Sequence, residues 1–403
     1  MTGLSLVIVG LAAGGTWYLL HSRTVVMGAN SAAEERGEPS PKKEVQARGP
    51  WGDLKVVSIT IAPPLELLPA STPAASAESV WLFPDMDVSR LTALWSTLNL
   101  PAALRNELLA LVRPEPAIKG YAIGPSRELV LRLTAPQRAE IYTMLAEFPQ
   151  NADQVTAYRF CGKSLADWFG NMPVKQAVRD LVEPLVYHYG AYSFFADQRC
   201  IEHSLPSPED RVQLLRALTR ESTYLMRVQV MPTSDLEGMV NYWGRGGRIK
   251  DVRPLLESAA NIEGGQAISI AYLLPSFARQ RLYTYPVPPE GGTASKHDCH
   301  WSSFNFFSET PDDRFCDIVE VKRTLERDYY RVYGNLLLGD LILFVNSQAA
   351  VLHSAVYIAN EYVFTKNGNL STQPWMLMKI DDLKTYYPSR SPVQVLFYRR
   401  KDM

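Results

Sequence analysis

Three short apolar runs separated by brief turns lie between Gly339 and Asn367, and no other stretch of this 403-residue chain restricts the fold as tightly. Gly339-Asp340 reads as a tight turn feeding a buried strand, Leu341 to Val345. His353 heads a second strand, Ala355 to Ile358, and Glu361-Tyr362-Val363-Phe364-Thr365 supplies a third, with Asn360-Glu361 turning the chain between them. Runs joined this closely are expected to pair as an antiparallel meander, which puts the head of one strand beside the end of the next. His353 then has the polar residues Thr365 to Asn367 behind it.

Upstream stands Lys296-His297-Asp298-Cys299-His300-Trp301. The apolar residues Trp301, Phe304, Phe306 and Phe307 suit a helix packed on a sheet. Asp298 is well placed as its N-cap, which puts the Cys299 sulfur in the first turn, where the positive end of the helix favours thiolate over thiol. Cysteine is a weak nucleophile at its free pKa and needs such a helix end, or a base, beside it. His353 is the candidate base, and Thr365 or Asn367 the candidate group orienting its imidazole. Asp298, His300, Trp301 and Asp340 are expected to contact substrate. The competing reading is a buried helix that merely contains a cysteine, beside a structural histidine. His297, His300, Cys299 and Cys316 invite a metal reading, but His-x-Cys-His is not a standard zinc spacing. No metal or other cofactor is expected, and Cys316 reads as a small buried apolar residue.

The chain is long enough for two or three domains with ample core. Its formal net charge of -1 gives no general pull toward nucleic acid. Four cysteines are too few for a disulfide scaffold, although Cys161 and Cys200 are available to pair in an oxidising compartment. Gly3 through Leu20 is an uncharged apolar run of about the minimum length for a bilayer span. Residues 1–21 are therefore expected to be a transmembrane anchor or export signal, with the soluble part outside the cytoplasm in a cell envelope. Residues 22–79, rich in Ala, Ser, Pro and charge, read as a tether. Within them Lys55 to Ile61 has strand character and is a candidate strand of a later sheet.

Residues 80–286 read as a helix-rich domain of unassigned role. Leu91, Leu94, Trp95 and Leu98 recur at helical spacing, as do Leu104, Leu108 and Leu111. Thr134 and Ser207 stand where helix caps belong, each just before a proline. Strands are expected from Thr223 to Val230 and from Ala267 to Leu274. Gly244-Arg245-Gly246-Gly247-Arg248 lacks the ending of a phosphate-binding loop and reads as a glycine turn with two solvated arginines. Prolines and glycines from Pro286 to Gly292 mark the boundary to a second domain, residues 287–403. The fold class is thus α+β: an anchor helix, a helix-rich middle domain, and a C-terminal domain with a helix packed on an antiparallel sheet.

Three features of this C-terminal quarter resemble the NlpC-type cell-wall cysteine peptidases, a branch of the papain-like fold. They are Asp298-Cys299 at a helix start, Gly339-Asp340-Leu341 before a strand, and His353-Ser354-Ala355-Val356-Tyr357-Ile358 before Asn360. The resemblance implies that Cys299 is nucleophile and His353 base, with a third polar residue about a dozen positions later. That position holds Thr365, where neither His nor Gln stands, and Asn367 fits if the register slips by two. The chain also departs after the Asp-Cys pair, with His300-Trp301 where the family has Ser-Gly, and carries an acidic patch from Glu309 to Asp313. The implied function is hydrolysis of an amide bond in peptidoglycan stem peptides or a related envelope peptide. The alternatives are a catalytically degenerate envelope binding or scaffold protein, and an acyltransferase or thioesterase built on the same acyl-enzyme chemistry. Protein partners and oligomeric state are not legible.

Overall fold

Alternation of apolar side chains over both faces makes the C-terminal runs the centre of a six-stranded sheet. A computed structural model of the chain describes residues 45–68, 79–288, 295–347 and 349–403. The sheet runs in the order Tyr329–Val332, Gln394–Arg400, Leu341–Val345, Val351–Ala359, Tyr362–Lys366, Trp375–Lys379, every neighbour antiparallel. Leu341–Val345 and Tyr362–Lys366 are buried at every position, because both faces of the sheet are covered. Gly339 turns the chain with φ 91° while the Phe307 ring lies against its α-carbon, so a Cβ there meets the ring. The Cys299–Phe304 helix packs on Val351–Ala359 and Tyr362–Lys366.

A second sheet joins Val45–Gly49, Gly52–Ile61, Glu221–Val230 and Gln266–Ser269 in that order, all antiparallel. The strand expected at Lys55 to Ile61 is thus present and longer. It turns residues 45–61 of the expected tether into a hairpin whose Leu54 and Val56 enter the core. The strand expected from Ala267 ends at Ser269, where a 3-10 turn over Ile270–Tyr272 takes over. Thr223 links the two sheets: its hydroxyl donates to Leu377 O at 2.9 Å and accepts from Leu377 N at 3.0 Å.

Between the strands lie short helices and two three-stranded sheets, so the fold is mixed α+β with several sheets. Thr134 and its Gln137 partner form a capping box, and Ser207 accepts from Asp210 N. The aromatic stretches around His188 form the hairpin Tyr187–Tyr189 with Tyr192–Phe195. Two apolar clusters fill the interior. One gathers Trp81, Trp95, Trp168 and Phe194 with Phe344, Tyr357 and Met378; the other gathers Leu54, Trp243 and Leu273 with Trp301, Phe364 and Leu377. Each draws on residues from both sides of the expected boundary at 287, and Glu44–Met403 holds together as one compact unit.

Two smaller expectations are corrected. Arg245 and Arg248 are half-buried, not solvated: Arg248 donates to the carbonyls of Trp243 and Leu273 at helix ends, and Arg245 to that of Leu338 in the loop before Gly339. Cys316 is exposed, because it ends a 3-10 turn on the surface. Cys200 is buried, and its thiol lies 3.1 Å from the Ser79 hydroxyl. No helix among the described residues is long and apolar enough to cross a membrane, and the apolar run of residues 1–21 lies outside them.

Candidate active site

Asp298 caps the cysteine helix: its carboxylate accepts from Trp301 N at 2.9 Å, and the Ser302 hydroxyl donates to Asp298 O at 2.6 Å. Cys299 is the first residue of the helix and is 6 % exposed. The helix has only six residues, so its macrodipole is smaller than the sequence suggested. Its contribution is mainly positional, offering the first-turn N–H groups that have no intrahelical acceptor.

His353 is the third residue of its strand and fully buried. Its Nε2 lies 2.8 Å from Thr365 Oγ1, and Thr365 Oγ1 in turn donates to Asn367 Oδ1 across 3.4 Å. A hydroxyl has one proton. With that proton directed to Asn367, Thr365 accepts from Nε2–H, and the network assigns the bare lone pair of the imidazole to Nδ1. That Nδ1 is buried and has no hydrogen-bond partner. Asn367, expected as an alternative orienting group, stands one step further back, with its Nδ2 3.0 Å from Met378 Sδ.

The helix and the histidine strand are joined through the neighbours of Cys299 and His353, with Ser354 on the face of the strand opposite the His353 ring. His300 Nδ1 lies 3.0 Å from Ser354 Oγ, and Ser354 Oγ donates to Ser303 Oγ at 3.1 Å. Tyr387 bears on both sides: its ring lies 4.8 Å from that of His353, and the charge of Cys299 helps push its phenol pKa well above the usual value, after burial. Beside Tyr387 opens a cavity of about 630 Å³, lined among others by Tyr142, Gln154, Arg159, Tyr187 and Leu352. Residues before 287 therefore form one wall of this cavity, whose lining reaches Leu352 and Tyr387 but includes neither His353 nor Cys299.

Other expected substrate contacts are drawn away. His300 is buried against Ser354, and burial lowers its pKa, opposed by Asp298. Trp301 is a core residue, packed on Phe277 and Trp375, with its indole N–H on Asp313. Asp340 is 1 % exposed and held by Arg399 in a two-point pair at 2.8 and 2.7 Å, with Leu337 N as a third donor. Its ladder neighbour is Tyr357, four residues along the strand from His353, about 13 Å at strand rise. Asp340 is a corner-holding residue because its buried carboxylate is held by three donors from Arg399 and Leu337.

Lys366 is the residue that sequence reading missed. It is fully buried and its pKa is pushed down to about 8 by desolvation, opposed by the charges of Cys299 and then Asp298. The signal was a lysine inside an otherwise apolar strand. The donor sets His297–Asp313–Cys316 and Asp298–Cys299–His300 each bring ligand atoms within 4.8 Å. Their donors are engaged in hydrogen bonds to Trp301 and Ser354, and Arg281 and Lys366 oppose a cation beside His297, so neither reads as a metal centre. Comparison with protein-family models, with characterised proteins and with solved structures gives no match.

Proposed function

We propose that this chain is a cysteine hydrolase of the NlpC type, a peptidase or amidase that cleaves an amide in peptidoglycan stem peptides or a related envelope peptide. The observation that carries this reading is the imidazole of His353: its Nε2 is tied to Thr365 and its buried Nδ1 is left without a partner, on a strand against which the helix that begins at Cys299 packs. A base whose outer nitrogen is fixed and whose inner nitrogen is bare is suited to take a thiol proton.

The step follows from these atoms. His353 Nδ1 accepts the Cys299 proton, and the thiolate adds to the amide carbonyl. A backbone N–H of the first helical turn stabilises the oxyanion. The imidazolium returns the proton to the leaving amine as the C–N bond breaks, leaving a thioester. Water, deprotonated by His353, then releases the acid and restores the thiol. Thr365 keeps the ring oriented through both halves. The cavity beside Tyr387, lined by tyrosines and by Gln154, Arg159 and Glu147, suits a polar, hydrogen-bonding peptide. An envelope location, with residues 1–21 as anchor, completes the proposal.

A degenerate binding protein is the second reading, favoured by the absence of any hydrogen bond from His353 Nδ1 to Cys299 and by the near-complete burial of the thiol. Digestion of peptidoglycan stem-peptide fragments by the purified protein decides between them. The enzyme reading expects new amine and carboxyl ends, lost in Cys299→Ala and in His353→Ala by at least about a thousandfold. Binding of the fragments without cleavage, unchanged in Cys299→Ala, supports the second reading.

A further inference from the structure

Arg159 is a charged residue inside a short strand, Tyr158–Cys161, and is 8 % exposed. Its guanidinium makes three hydrogen bonds, all to main-chain carbonyls: Nε to Ala157 O at 3.0 Å, Nη1 to Tyr386 O at 2.6 Å and Nη2 to Val155 O at 3.1 Å. A guanidinium carries five N–H groups, so one on each terminal nitrogen is left over. Carbonyls satisfy hydrogens but not the net charge, and among the described residues no carboxylate accepts a hydrogen bond from Arg159. A cation buried in this way is ordinarily paired with an anion.

The same side chain belongs to the wall of the cavity of about 630 Å³ beside Tyr387, a volume that suits a small ligand. Its Cζ lies 4.6, 5.5 and 6.0 Å from the ring centroids of Tyr386, Phe194 and Tyr387, all of which line that space. Rings and carbonyls together fix the plane of the fork before any ligand arrives, and a fixed fork favours capture of a carboxylate. Among the described lining residues Arg159 is the one cation and Glu147 the one carboxylate. Glu147 is exposed and lies 3.9 Å from Arg390, which answers its charge. Glu221, bonded to the Tyr386 hydroxyl at 3.1 Å, has its pKa pushed up to about 8 by burial and is mostly uncharged at neutral pH. Among the described residues the cavity thus holds a positive charge without a resident counter-ion.

We propose that this cavity is a carboxylate-binding site, in which Arg159 takes the free carboxylate of a peptide ligand through the N–H groups it has left. The carboxylate preference rests on Arg159; that its bearer is a peptide rests on the hydrolase reading. Leu352, the residue before His353, and Tyr387, whose ring lies 4.8 Å from the His353 ring, line the same space, so a peptide held here lies alongside the histidine strand. Arg159 is then a residue of specificity: it selects and orients the ligand and takes no part in breaking a bond.

The test is isothermal titration calorimetry with the full-length Cys299→Ala protein, which binds peptide without turning it over. The probes are a peptidoglycan stem tripeptide with all its carboxylates free, the same peptide amidated at its C-terminus, and the same peptide amidated at its internal carboxylate. One of the two amidations is expected to weaken binding about tenfold to a hundredfold, and the position that matters names the carboxylate that is held. Adding Arg159→Gln is expected to weaken the free acid by a similar factor and to make acid and amide bind alike. Acid and amides bound alike without that substitution, no binding of any of them at about 1 mM, or a preference that survives Arg159→Gln overturns the proposal. If Arg159→Gln does not fold, Leu352→Glu, at an exposed lining position, takes its place. A carboxylate added there is expected to weaken the acid at least about threefold more than the amide, and equal weakening overturns the site. A preference for the acid in a protein whose wild type cleaves no peptide sinks only the hydrolase reading; cleavage with no preference between acid and amides sinks only this one.

Discussion

Thr365 holds His353 with a single hydroxyl, where an imidazole or amide would offer a wider choice of geometry. Its position behind Nε2 follows from strand pairing, since Thr365 and His353 lie on the same face of adjacent strands. Thr365→Val keeps the shape and deletes the acceptor, leaving a buried N–H unsatisfied at a cost of about 1–3 kcal/mol. The expected result is a fall in turnover of roughly tenfold to a hundredfold, with Thr365→Ser close to wild type. Equal turnover in both variants, measured on the same peptide, removes the orienting role. Asp298 is structural at this scale: Asp298→Ala is expected to cost about 1 kcal/mol as a lost cap.

At the scale of elements, the corner Gly339-Asp340 sets where the central strand begins. Gly339 N donates to Tyr357 O, Tyr357 N donates to Asp340 O at 2.8 Å, and Arg399 clamps the Asp340 carboxylate from the neighbouring strand. Removing one partner of a buried pair strands the other's charge, which costs about 3–5 kcal/mol. Asp340→Ala is therefore expected to lower urea-unfolding stability by that order while leaving the pH profile of Cys299 labelling in the folded protein unchanged. A changed labelling profile with unchanged stability would return Asp340 to the site. The meander expected from the sequence is present strand for strand, because two faces of burial demand unbroken apolar runs and short turns. The cysteine helix is shorter than the run Trp301 to Phe307 suggested. It ends at Phe304, and Phe306 and Phe307 pack from the following turn.

Across the whole molecule, a set of buried acids sits between the first apolar cluster and the sheet. Asp197 accepts from Tyr142 Oη at 2.6 Å and is pushed up to about 7 by burial; Glu221, bonded to Tyr386 Oη at 3.1 Å, is pushed up to about 8 for the same reason. Both folded pKa values lie above the unfolded ones, so the folded state binds more protons than the unfolded one between about pH 4 and 8. Their stabilising contribution is complete below about pH 4 and is lost as pH rises through about 7 to 8. Urea unfolding is expected to give lower stability at about pH 8 than at about pH 5, with the slope reduced in Asp197→Asn and Glu221→Gln. A slope unaffected by either variant assigns the dependence to other groups. Tyr142 and Tyr386 also line the cavity beside Tyr387, so these acids sit behind the wall of the proposed peptide site.

By itself the sequence determined the local elements of this protein: the caps at Thr134, Ser207 and Asp298, the strand within Gly52–Ile61, and the C-terminal meander with His353 beside Thr365. Each depends on residues a few positions apart, through turn chemistry and the period of burial. Tertiary structure alone decided which candidates share a site. Asp340 and Trp301 carry the residue types of a substrate contact, yet Arg399 and Phe277, distant in sequence, draw them into the framework. Lys366 is buried by the loop it holds, through Gly368 and Leu370, which docks on Ser295 far earlier in the sequence. The wall of the cavity came from residues around Tyr142 and Tyr187, since the core crosses the boundary that the prolines near Pro286 suggested. The reason is physical: local periodicity encodes which face is buried, while the partner of that face is set by packing between segments that the sequence keeps far apart.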